Sequence, residues 1–327
     1  MRAAVITEPG GPDVLKVREV PDPVPGPDDV LVDVKASALN RADTLQRQGG
    51  YPAPPGSPDD IPGLEFSGVV VEAGANVTDL SAGDRVFGLL GGGGYASRVV
   101  THSRMAMRIP KGLDFEQAAA FPEVFFTAYD ALFNHCELAM GESVLIHAAG
   151  SGVGTAAVQL AHSAGAYVFG TAGSEDKLQG AKDLGMDVGI NYREQDFSAV
   201  VREHTGGAGV DVLLDVIGAD YWDRNLASLA LRGRLVLVGT MGGGAVQADL
   251  RPLMFKRLRV HGTVLRSRPI EEKIALTNQI KRHVLPLIDS GAMKPVVDKV
   301  FPLAEAGEAH RYMESNANFG KIVLSME

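Results

Sequence analysis

The chain is poor in cysteine: Cys136 is the only one among 327 residues. An internal disulfide is therefore impossible, and the bridge-stabilised design of small secreted domains is excluded. Free cysteine usually behaves as a small hydrophobe, so we expect Cys136 to be a buried packing residue, with a reactive thiol as the alternative. The N-terminus has neither a long apolar segment nor an Arg- and Ser-rich transit segment, so we expect the protein in the cytoplasm.

Long apolar runs and runs of like charge are also missing. No stretch of the sequence is long and apolar enough to predict a bilayer-spanning helix. The formal net charge is −9, which argues against nucleic acid or an anionic membrane as the main partner. The hydrophobic fraction of 45% is that of a globular protein. A chain of this length exceeds what one core usually holds, so two domains are expected.

The pattern of the chain changes twice. Its first part is rich in Gly, Pro and short alternating runs, which predicts a β-rich, barrel-like domain, with one strand at 95–100. Short strands then alternate with helices, which indicates βαβ crossovers and a parallel sheet. The tail has a helix at 270–288 and ends in strand-like pieces. We therefore predict an α/β protein with one domain from residues 1–122 and 266–327 and an inserted domain from 123–265.

Several elements of the inserted domain can be placed from periodicity and turn residues. A short apolar strand is predicted at 142–148 and a helix at 152–165. Further on, the pattern predicts a helix at 174–184 with Ser174 as N-cap, a helix at 221–231 and an edge strand at 257–265.

A glycine-rich turn, Ala148–Gly154, stands between the predicted strand and helix, which is the setting in which such a turn binds a dinucleotide. Small residues let the backbone approach a pyrophosphate, and the helix N-terminus offers it unpaired N–H groups. The usual G-x-G-x-x-G register falls on Ala149, Ser151 and Gly154, so only one position is glycine. The prediction rests on the βαβ setting, and a tight turn without a ligand is the alternative.

The residues after the second strand of this domain favour NADPH. An NAD site usually has an acid there for the ribose 2′-hydroxyl, but no carboxylate stands at Ala172. Glu175 and Asp176 follow in the first helical turn, where they complement the helix dipole. Lys177 is a nearby cation and Tyr192 ends the third strand. A missing acid beside a cation predicts a 2′-phosphate, although Lys177 can equally be a solvated lysine.

With these residues in view, the chain resembles the zinc-free medium-chain dehydrogenase/reductases. It is most similar to the zeta-crystallin-type quinone oxidoreductases, in particular the branch typified by the tumour-suppressor-induced enzyme. The resemblance spans the whole chain and rests on several segments together: Ser37–Asp43, Gln46–Tyr51, Pro62–Glu65, Leu145–Ala148, Gly152–Ala157, Tyr221–Trp222, Met241–Gly244 and Leu265–Arg268.

The resemblance implies a GroES-like β domain with an inserted Rossmann domain. It also implies a set of cofactor contacts. These are Asn40, Thr127, Leu265, Arg266 and Ser267 near the nicotinamide, Gly152 and Val153 at the pyrophosphate, Gly173, Ser174, Lys177 and Tyr192 around the adenosine phosphate, Ile217, Met241 and Gly242 along the cofactor cleft, and Asn318 closing it from the tail. Many relatives have Gly where this chain has Ser151, whose hydroxyl either donates to a phosphate oxygen or caps the helix. Family members are commonly dimers, so a homodimer through an edge strand that includes 260–264 is expected.

Zinc is not expected. Relatives that bind catalytic zinc use a Cys and a His, and the corresponding stretches here are Leu39-Asn40-Arg41 and Gly63-Leu64-Glu65. The four-cysteine structural zinc loop cannot form with one cysteine. The histidines at 102, 135, 147 and 162 have no ligand spacing and are interpreted as structural or surface residues.

Without a Lewis acid the cofactor must supply the chemistry, which suits quinones because they accept electrons with little activation. We therefore predict an NADPH:quinone oxidoreductase that holds a quinone or another electrophilic acceptor against the nicotinamide in an interdomain cleft. Asn40 and Asp43 are candidates for positioning the acceptor or relaying a proton, or for bracing the pocket. Tyr51 lies in the Gly- and Pro-rich loop 49–56, which either covers the acceptor or is only anchored by this side chain.

Two other functions stay open. An enoyl or enone reductase, for instance of 2-enoyl thioesters, needs an acid to protonate the α-carbon, and Tyr51 is available for that role. A non-catalytic NADPH-binding protein is the third possibility.

Overall fold

The computed structural model describes all residues, 1–327. Its strands are β1 (Arg2–Ile6), β2 (Leu15–Glu19), β3 (Asp29–Ala38), β4 (Glu65–Ala73), β5 (Arg85–Leu89), β6 (Arg98–His102), β7 (Ala106–Arg108), β8 (Ser143–Ile146), β9 (Tyr167–Ala172), β10 (Val188–Asn191), β11 (Val210–Asp215), β12 (Leu229–Leu237), β13 (Arg259–Gly262), β14 (Val297–Pro302) and β15 (Lys321–Ser325). Its α-helices are α1 (Arg41–Arg47), α2 (Phe115–Ala119), α3 (Pro122–Tyr129), α4 (Gly152–Ser163), α5 (Glu175–Asp183), α6 (Phe197–His204), α7 (Trp222–Ser228), α8 (Arg251–Phe255), α9 (Ile270–His283), α10 (Leu285–Asp289) and α11 (Ala306–Glu314). None of these helices is long and apolar enough to cross a membrane.

The chain divides into two compact units. The first, here called the β unit, comprises Met1–Phe126 and Leu265–Glu327, and the second, the α/β unit, comprises Thr127–Val264. The chain therefore leaves the first unit, builds the second and returns. The resemblance predicts catalysis and substrate binding for the first unit and NADPH binding for the second.

The β unit is built on a seven-stranded sheet in the order β14-β15-β3-β4-β5-β7, with β6 also paired to β3. Alternate residues of β3, Val30, Val32 and Val34, are buried in one hydrophobic core together with Phe66 of β4. Successive side chains of a strand point to opposite faces, so burial of every second residue shows that one face of β3 packs on this core. The long strand β3 leads directly into Asn40 and α1, so the core fixes the start of the predicted catalytic segment.

The α/β unit has a six-stranded sheet, all parallel, in the order β10-β9-β8-β11-β12-β13. Numbered within the unit this is 3-2-1-4-5-6, the order of dinucleotide-binding folds. The strand order reverses between β8 and β11, and ligands of such sheets bind at the carboxyl ends of the strands at this reversal. The glycine-rich turn follows β8 and therefore lies at that position.

The predicted helix 221–231 is wrong at its end. Helix α7 ends at Ser228, and the chain enters β12 at Leu229, which pairs with Val210 of β11. Arg232 has a left-handed φ of 66° and precedes Gly233, a conformation that cannot continue a helix. The sequence predicts a helix that continues through 229–231, whereas strand pairing with β11 buries Leu229 completely.

Three other predicted elements have different bounds in the structure. The helix predicted at 270–288 is two helices, α9 and α10, because Pro286 has no N–H for the ladder and the chain bends at Val284, with φ −108°. The strand predicted to end at Ala148 ends at Ile146, since Ala148 adopts a left-handed φ of 52° in the turn. The strand predicted at 95–100 is β6, three residues later at its start.

Candidate active site

The glycine-rich turn is shaped by close packing at its last glycine. A Cβ on Gly154 would lie 2.2 Å from the carbonyl oxygen of Ala148, so no other residue fits there without moving the turn. The first amides of α4, those of Gly152 and Val153, belong to the helix end that lacks intrahelical acceptors. The residues present therefore fit a pyrophosphate, as the sequence predicts.

Ser151 caps the helix. It occupies the N-cap position of α4, and its Oγ accepts a hydrogen bond from the Gly154 N–H at 3.0 Å. Of the two roles considered for this hydroxyl, capping is the one seen in the structure. A hydroxyl that accepts this bond keeps its own hydrogen, so donation to a phosphate oxygen stays a prediction.

A buried polar network lies behind the turn. His147 has no exposed surface, and its two ring nitrogens lie 3.0 Å from Thr171 Oγ1 and 2.7 Å from Asn225 Oδ1. Asn225 Nδ2 donates to Asp215, whose carboxylate also accepts from the Ile217 N–H. Burial lowers the pKa of His147 to about 4, so the ring is neutral. His147 is structural, as interpreted, and the network ties the ends of β8, β9 and β11 together.

The adenosine end of the predicted cofactor site is formed by the ends of β9 and β10. A Cβ on Gly173 would lie 2.6 Å from the Tyr192 hydroxyl and 3.2 Å from Arg193 Nε. The absence of a side chain at Gly173 thus lets a phenol and a guanidinium come close to the end of β9. Sequence reasoning missed Arg193, although a cation directly after Tyr192 was a usable signal.

The neighbouring acid is engaged by a protein side chain. Glu175 Oε1 accepts a hydrogen bond from Asn191 Nδ2 at 3.3 Å, so Glu175 serves the end of β10. Ser174 stands at the N-cap of α5, as predicted, but its side chain makes no capping hydrogen bond. Lys177, half-buried, lies in the first turn of the same helix. The Tyr192 hydroxyl and the Arg193 guanidinium thus lie at the position predicted for a 2′-phosphate, and Ser174 and Lys177 follow it at the start of α5.

Asn40 is held by a buried ion pair in the β unit. Its Nδ2 donates to Glu65 Oε1 at 2.8 Å, and its Oδ1 accepts from Lys321 Nζ at 2.6 Å. Lys321 and Glu65 themselves pair at 2.8 Å, and both are buried. The amide orientation of Asn40 is therefore fixed, because its oxygen faces the ammonium and its nitrogen faces the carboxylate. Glu65, which alone does not make a metal site, is the centre of this arrangement.

Asp43 holds the start of α1 through buried hydrogen bonds. It has no exposed surface, and its carboxylate accepts from the Asn40 N–H at 2.7 Å, from the Gly63 N–H at 3.1 Å and from the Tyr95 hydroxyl at 3.1 Å. Burial raises the pKa of Asp43 to about 6 against the effect of these hydrogen bonds. The geometry fits the bracing role, and a proton relay through Asp43 stays a prediction.

Tyr51 is anchored by Arg266. The Arg266 guanidinium donates to the carbonyls of Gly91 at 2.7 Å and Tyr51 at 3.1 Å and to Gln46 Oε1 at 2.6 Å. It also lies 5.0 Å above the centre of the Tyr51 ring. The side chain of Arg266 is thus committed to two loops and helix α1 of the β unit, and its predicted place near the nicotinamide stays a prediction. Burial, together with the charge of Glu123, raises the pKa of the Tyr51 hydroxyl.

Glu123 is the second functional candidate that sequence reasoning missed. It stands in the first turn of α3, and its backbone N–H donates to Glu65 Oε2 at 2.7 Å. Burial raises the pKa of its carboxyl to about 8, and the negative charge of Glu65 adds to this effect, while Lys321 opposes it. The ammonium of Lys321 is already paired with Glu65. Glu123 therefore keeps its proton at neutral pH. In the sequence it is only an acid after Pro122, as in many helix N-termini.

The remaining predicted contacts fall into both units. The α/β unit holds Thr127 on α3 and the turn in which the N–H groups of Met241 and Gly242 donate to the carbonyls of Val216 and Ile217, at 3.1 and 2.7 Å. The β unit holds Leu265, Ser267 and Asn318, whose Nδ2 donates to the Gly320 carbonyl at 2.8 Å. Their contacts with a cofactor stay predictions.

Metal-ligating side chains do not cluster: no three His, Cys, Asp or Glu residues come together as a possible metal site. Cys136 is fully buried, as expected, and burial raises the pKa of its thiol to about 12. Zinc independence itself stays a prediction.

Two family models match the chain. The one described as "Alcohol dehydrogenase GroES-like domain" matches residues 26–111, and the one described as "Zinc-binding dehydrogenase" matches residues 152–281. Among characterised relatives, the human quinone oxidoreductase is 33% identical, covering 99% of this chain and 97% of its own length. A 2-haloacrylate reductase from Burkholderia sp. is 36% identical, covering 98% of both chains.

Solved structures agree. The Escherichia coli quinone oxidoreductase complexed with NADPH has a TM-score of 0.89 at 33% identity, over 99% of this chain and 100% of its own. An NAD-dependent alcohol dehydrogenase has a TM-score of 0.89 at 35% identity over 100% of both chains. The CurK enoyl reductase has a TM-score of 0.87 at 31% identity, over 100% of this chain and 99% of its own.

The fold is therefore a GroES-like domain with a Rossmann-type parallel-sheet domain inserted, as the resemblance implied. The chain belongs to the medium-chain dehydrogenase/reductase superfamily and, within it, to the oxidoreductases related to quinone oxidoreductase.

Proposed function

We propose that this protein is an NADPH:quinone oxidoreductase that works without metal. The observation that carries the proposal is the position of Glu123 beside the fixed Asn40–Glu65–Lys321 group, where burial raises the pKa of its carboxyl to about 8, because a reductase must deliver a proton to its acceptor. When bound, the cofactor supplies a hydride. The relatives that are quinone oxidoreductases support the choice of acceptor.

Three residues of the β unit would have separate roles in the reaction. Asn40 positions the acceptor or the nicotinamide amide, since its own orientation is locked at 2.8 Å to Glu65 and 2.6 Å to Lys321. Tyr51, with Arg266 over its ring, covers an aromatic acceptor. Glu123 gives its proton to the oxygen that becomes negative when the ring takes up the hydride, and water restores that proton. The quinone thus gains two electrons and two protons in total, one of them carried by the hydride.

NADPH rather than NADH is proposed from the adenosine end of the site. Lys177 and Arg193 supply positive charge there, the Tyr192 hydroxyl adds a donor, and Glu175 is engaged with Asn191. Guanidinium and ammonium groups bind a phosphate, whereas NAD sites need a free carboxylate for the ribose. The NADPH complex of the Escherichia coli relative supports this choice, and the NAD-dependent relative marks the alternative to be tested.

The test is oxidation of NADPH and of NADH with ortho- and para-quinones by protein treated with a chelator. We expect turnover with quinones, higher kcat/KM with NADPH and no effect of the chelator. Absence of turnover with every quinone, together with reduction of a 2-enoyl thioester, would replace the proposal by its alternative.

That alternative is an enoyl or enone reductase. It is favoured by the half-buried Tyr51, available as an acid for the α-carbon, and by the haloacrylate and CurK enoyl reductase relatives. Tight NADPH binding without turnover of either class of acceptor would instead favour a non-catalytic binding protein.

We also propose that the protein is cytoplasmic and that it forms a homodimer through β13. This strand is the outermost of the parallel sheet and pairs only with β12, so one edge of its backbone is open to a second copy. Sedimentation of the purified protein tests this: a monomer across micromolar concentrations would contradict it.

A further inference from the structure

Four arginines surround one groove of the α/β unit. The groove has a volume of about 420 Å³ and is lined by Arg232, Arg234, Arg257 and Arg259. Arg232 and Arg234 lie within β12, where Arg234 pairs with Val212 near the amino end of β11, while Arg259 begins β13 and Arg257 lies just before it. The glycine-rich turn follows the carboxyl end of β8. In a parallel sheet the two kinds of end are on opposite edges, so the groove is separate from the dinucleotide turn.

The arginines form two neighbouring pairs. Arg234 and Arg259 are register partners across β12 and β13. The Arg232 N–H donates to the Lys256 carbonyl at 2.6 Å, which brings Arg232 beside Arg257. Strand β12, the first residue of β13 and the turn before β13 therefore bring four arginines to one groove.

Carboxylates balance only half of this charge. Arg234 pairs with Glu142 through two hydrogen bonds, one of them 2.9 Å long, and Arg259 pairs with Glu137 at 2.9 Å. No carboxylate pairs with Arg232 or Arg257, and both are exposed. Like charges around one groove repel each other, so an excess of cations is unfavourable without an anion.

One further feature points to a missing acceptor. Nε of Arg234 is buried with no hydrogen-bond partner. A buried N–H without an acceptor is rare in folded proteins unless water or a ligand satisfies it.

We propose that this groove binds the diphosphate group of a small molecule at a site distinct from the dinucleotide turn. Guanidinium groups match phosphate oxygens with paired hydrogen bonds, and a diphosphate has enough oxygens for Arg232 and Arg257 without breaking the pairs of Arg234 and Arg259 with their glutamates.

The test is titration of the protein, saturated with NADPH, with pyrophosphate, ADP and inorganic phosphate by calorimetry at low salt. Saturation keeps the probes out of the dinucleotide site. We expect saturable binding of pyrophosphate, weaker binding of inorganic phosphate, and screening by added salt. If ADP binds more tightly than pyrophosphate, the source is a nucleotide; equal binding indicates recognition of the diphosphate alone.

The double variant Arg232→Gln/Arg257→Gln should weaken pyrophosphate binding by about 100-fold, about tenfold for each charged hydrogen-bonding group removed. Both residues are exposed and have no side-chain partner, so the double variant should fold. If it does not, Arg257→Gln alone is used, and it should weaken pyrophosphate binding by about tenfold. The matched control is Arg18→Gln/Arg282→Gln, which removes the same charge from the β unit. No saturable binding of pyrophosphate, or an equal loss in the control, would overturn the proposal. NADPH binding and quinone turnover should be unchanged in both double variants, so the two proposals fail separately.

Discussion

Replacement of Glu123 by glutamine tests the proposed proton donor. The amide keeps the size of the side chain and removes its acidic proton. Loss of a general acid costs about 10²- to 10⁴-fold in rate. Since quinones need little activation, we expect the low end, a fall of about 100-fold in the rate of the chemical step, with the Kd for NADPH unchanged. The assay is single-turnover oxidation of bound NADPH, which isolates the chemical step from product release.

The pH dependence gives the sharper readout. Burial raises the pKa of Glu123 from an ordinary 4.5 to about 8, so its proton is present below about pH 8 and is lost above it. The wild-type rate should therefore be flat up to about pH 8 and fall about tenfold per unit beyond it. The Glu123→Gln variant should lack this fall. An unchanged rate, or the same alkaline fall in the variant, would refute the role.

Stability separates this effect from damage to the fold. Because the pKa of Glu123 is raised in the folded state, its carboxyl ionises at a lower pH in the unfolded chain. The free energy of unfolding of the protein therefore falls as the pH rises from 4.5 to about 8. Glu123→Gln removes that loss, so the variant should be more stable than the wild type at pH 8 while it is less active. Glu272→Gln, an exposed acid in the first turn of α9, is the matched control and should change neither property.

Three further predictions follow from the same structure. Lys177→Ala and Arg193→Gln should each weaken NADPH binding about tenfold or more and leave NADH binding nearly unchanged, as measured by fluorescence titration; equal losses for both cofactors would contradict a 2′-phosphate site. Burial lowers the pKa of His147 from 6.5 to about 4 and that of His310 from 6.5 to about 3. Below pH 6.5 these two histidines therefore bind protons in the unfolded chain but not in the folded protein. The free energy of unfolding should therefore fall by about 1.4 kcal/mol per pH unit for each of these histidines as the pH drops from 6.5 towards 4, and a flat profile in urea titrations would contradict their buried state. Gly154→Ala should reduce binding of both dinucleotides alike, because its Cβ would lie 2.2 Å from the Ala148 carbonyl; unchanged binding in a folded variant would contradict the packing of the turn.

Much of the fold was accessible from the sequence because it is set by local signals. The strand, small-residue turn and helix around Gly154 have fixed spacings, and the alternation of strands and helices determines a parallel sheet. The errors fall where non-local contacts decide. Residues 229–231 have helical periodicity, but pairing with β11 draws Leu229 into a strand. Helix α6 was missed because it has only eight residues, and Phe197 and Val201 in it are buried in the core of the α/β unit by residues distant in the chain.

The candidate site was less predictable. Asn40, Asp43 and Tyr51 were found through a segment of specific sequence, but the partners that set their chemistry are distant in the chain: Lys321 reaches Asn40, and Arg266 reaches Tyr51. Glu123 shows the limit most clearly. Its raised pKa depends on burial and on Glu65, and neither can be deduced from an acid that follows a proline.

The central claim is tested most directly by steady-state reduction of ortho- and para-quinones in chelator-treated protein, with NADPH and NADH compared at equal concentrations. The account predicts turnover that survives the chelator and a higher kcat/KM for NADPH. No turnover with any quinone, or activity that disappears with the chelator and returns with zinc, would contradict it.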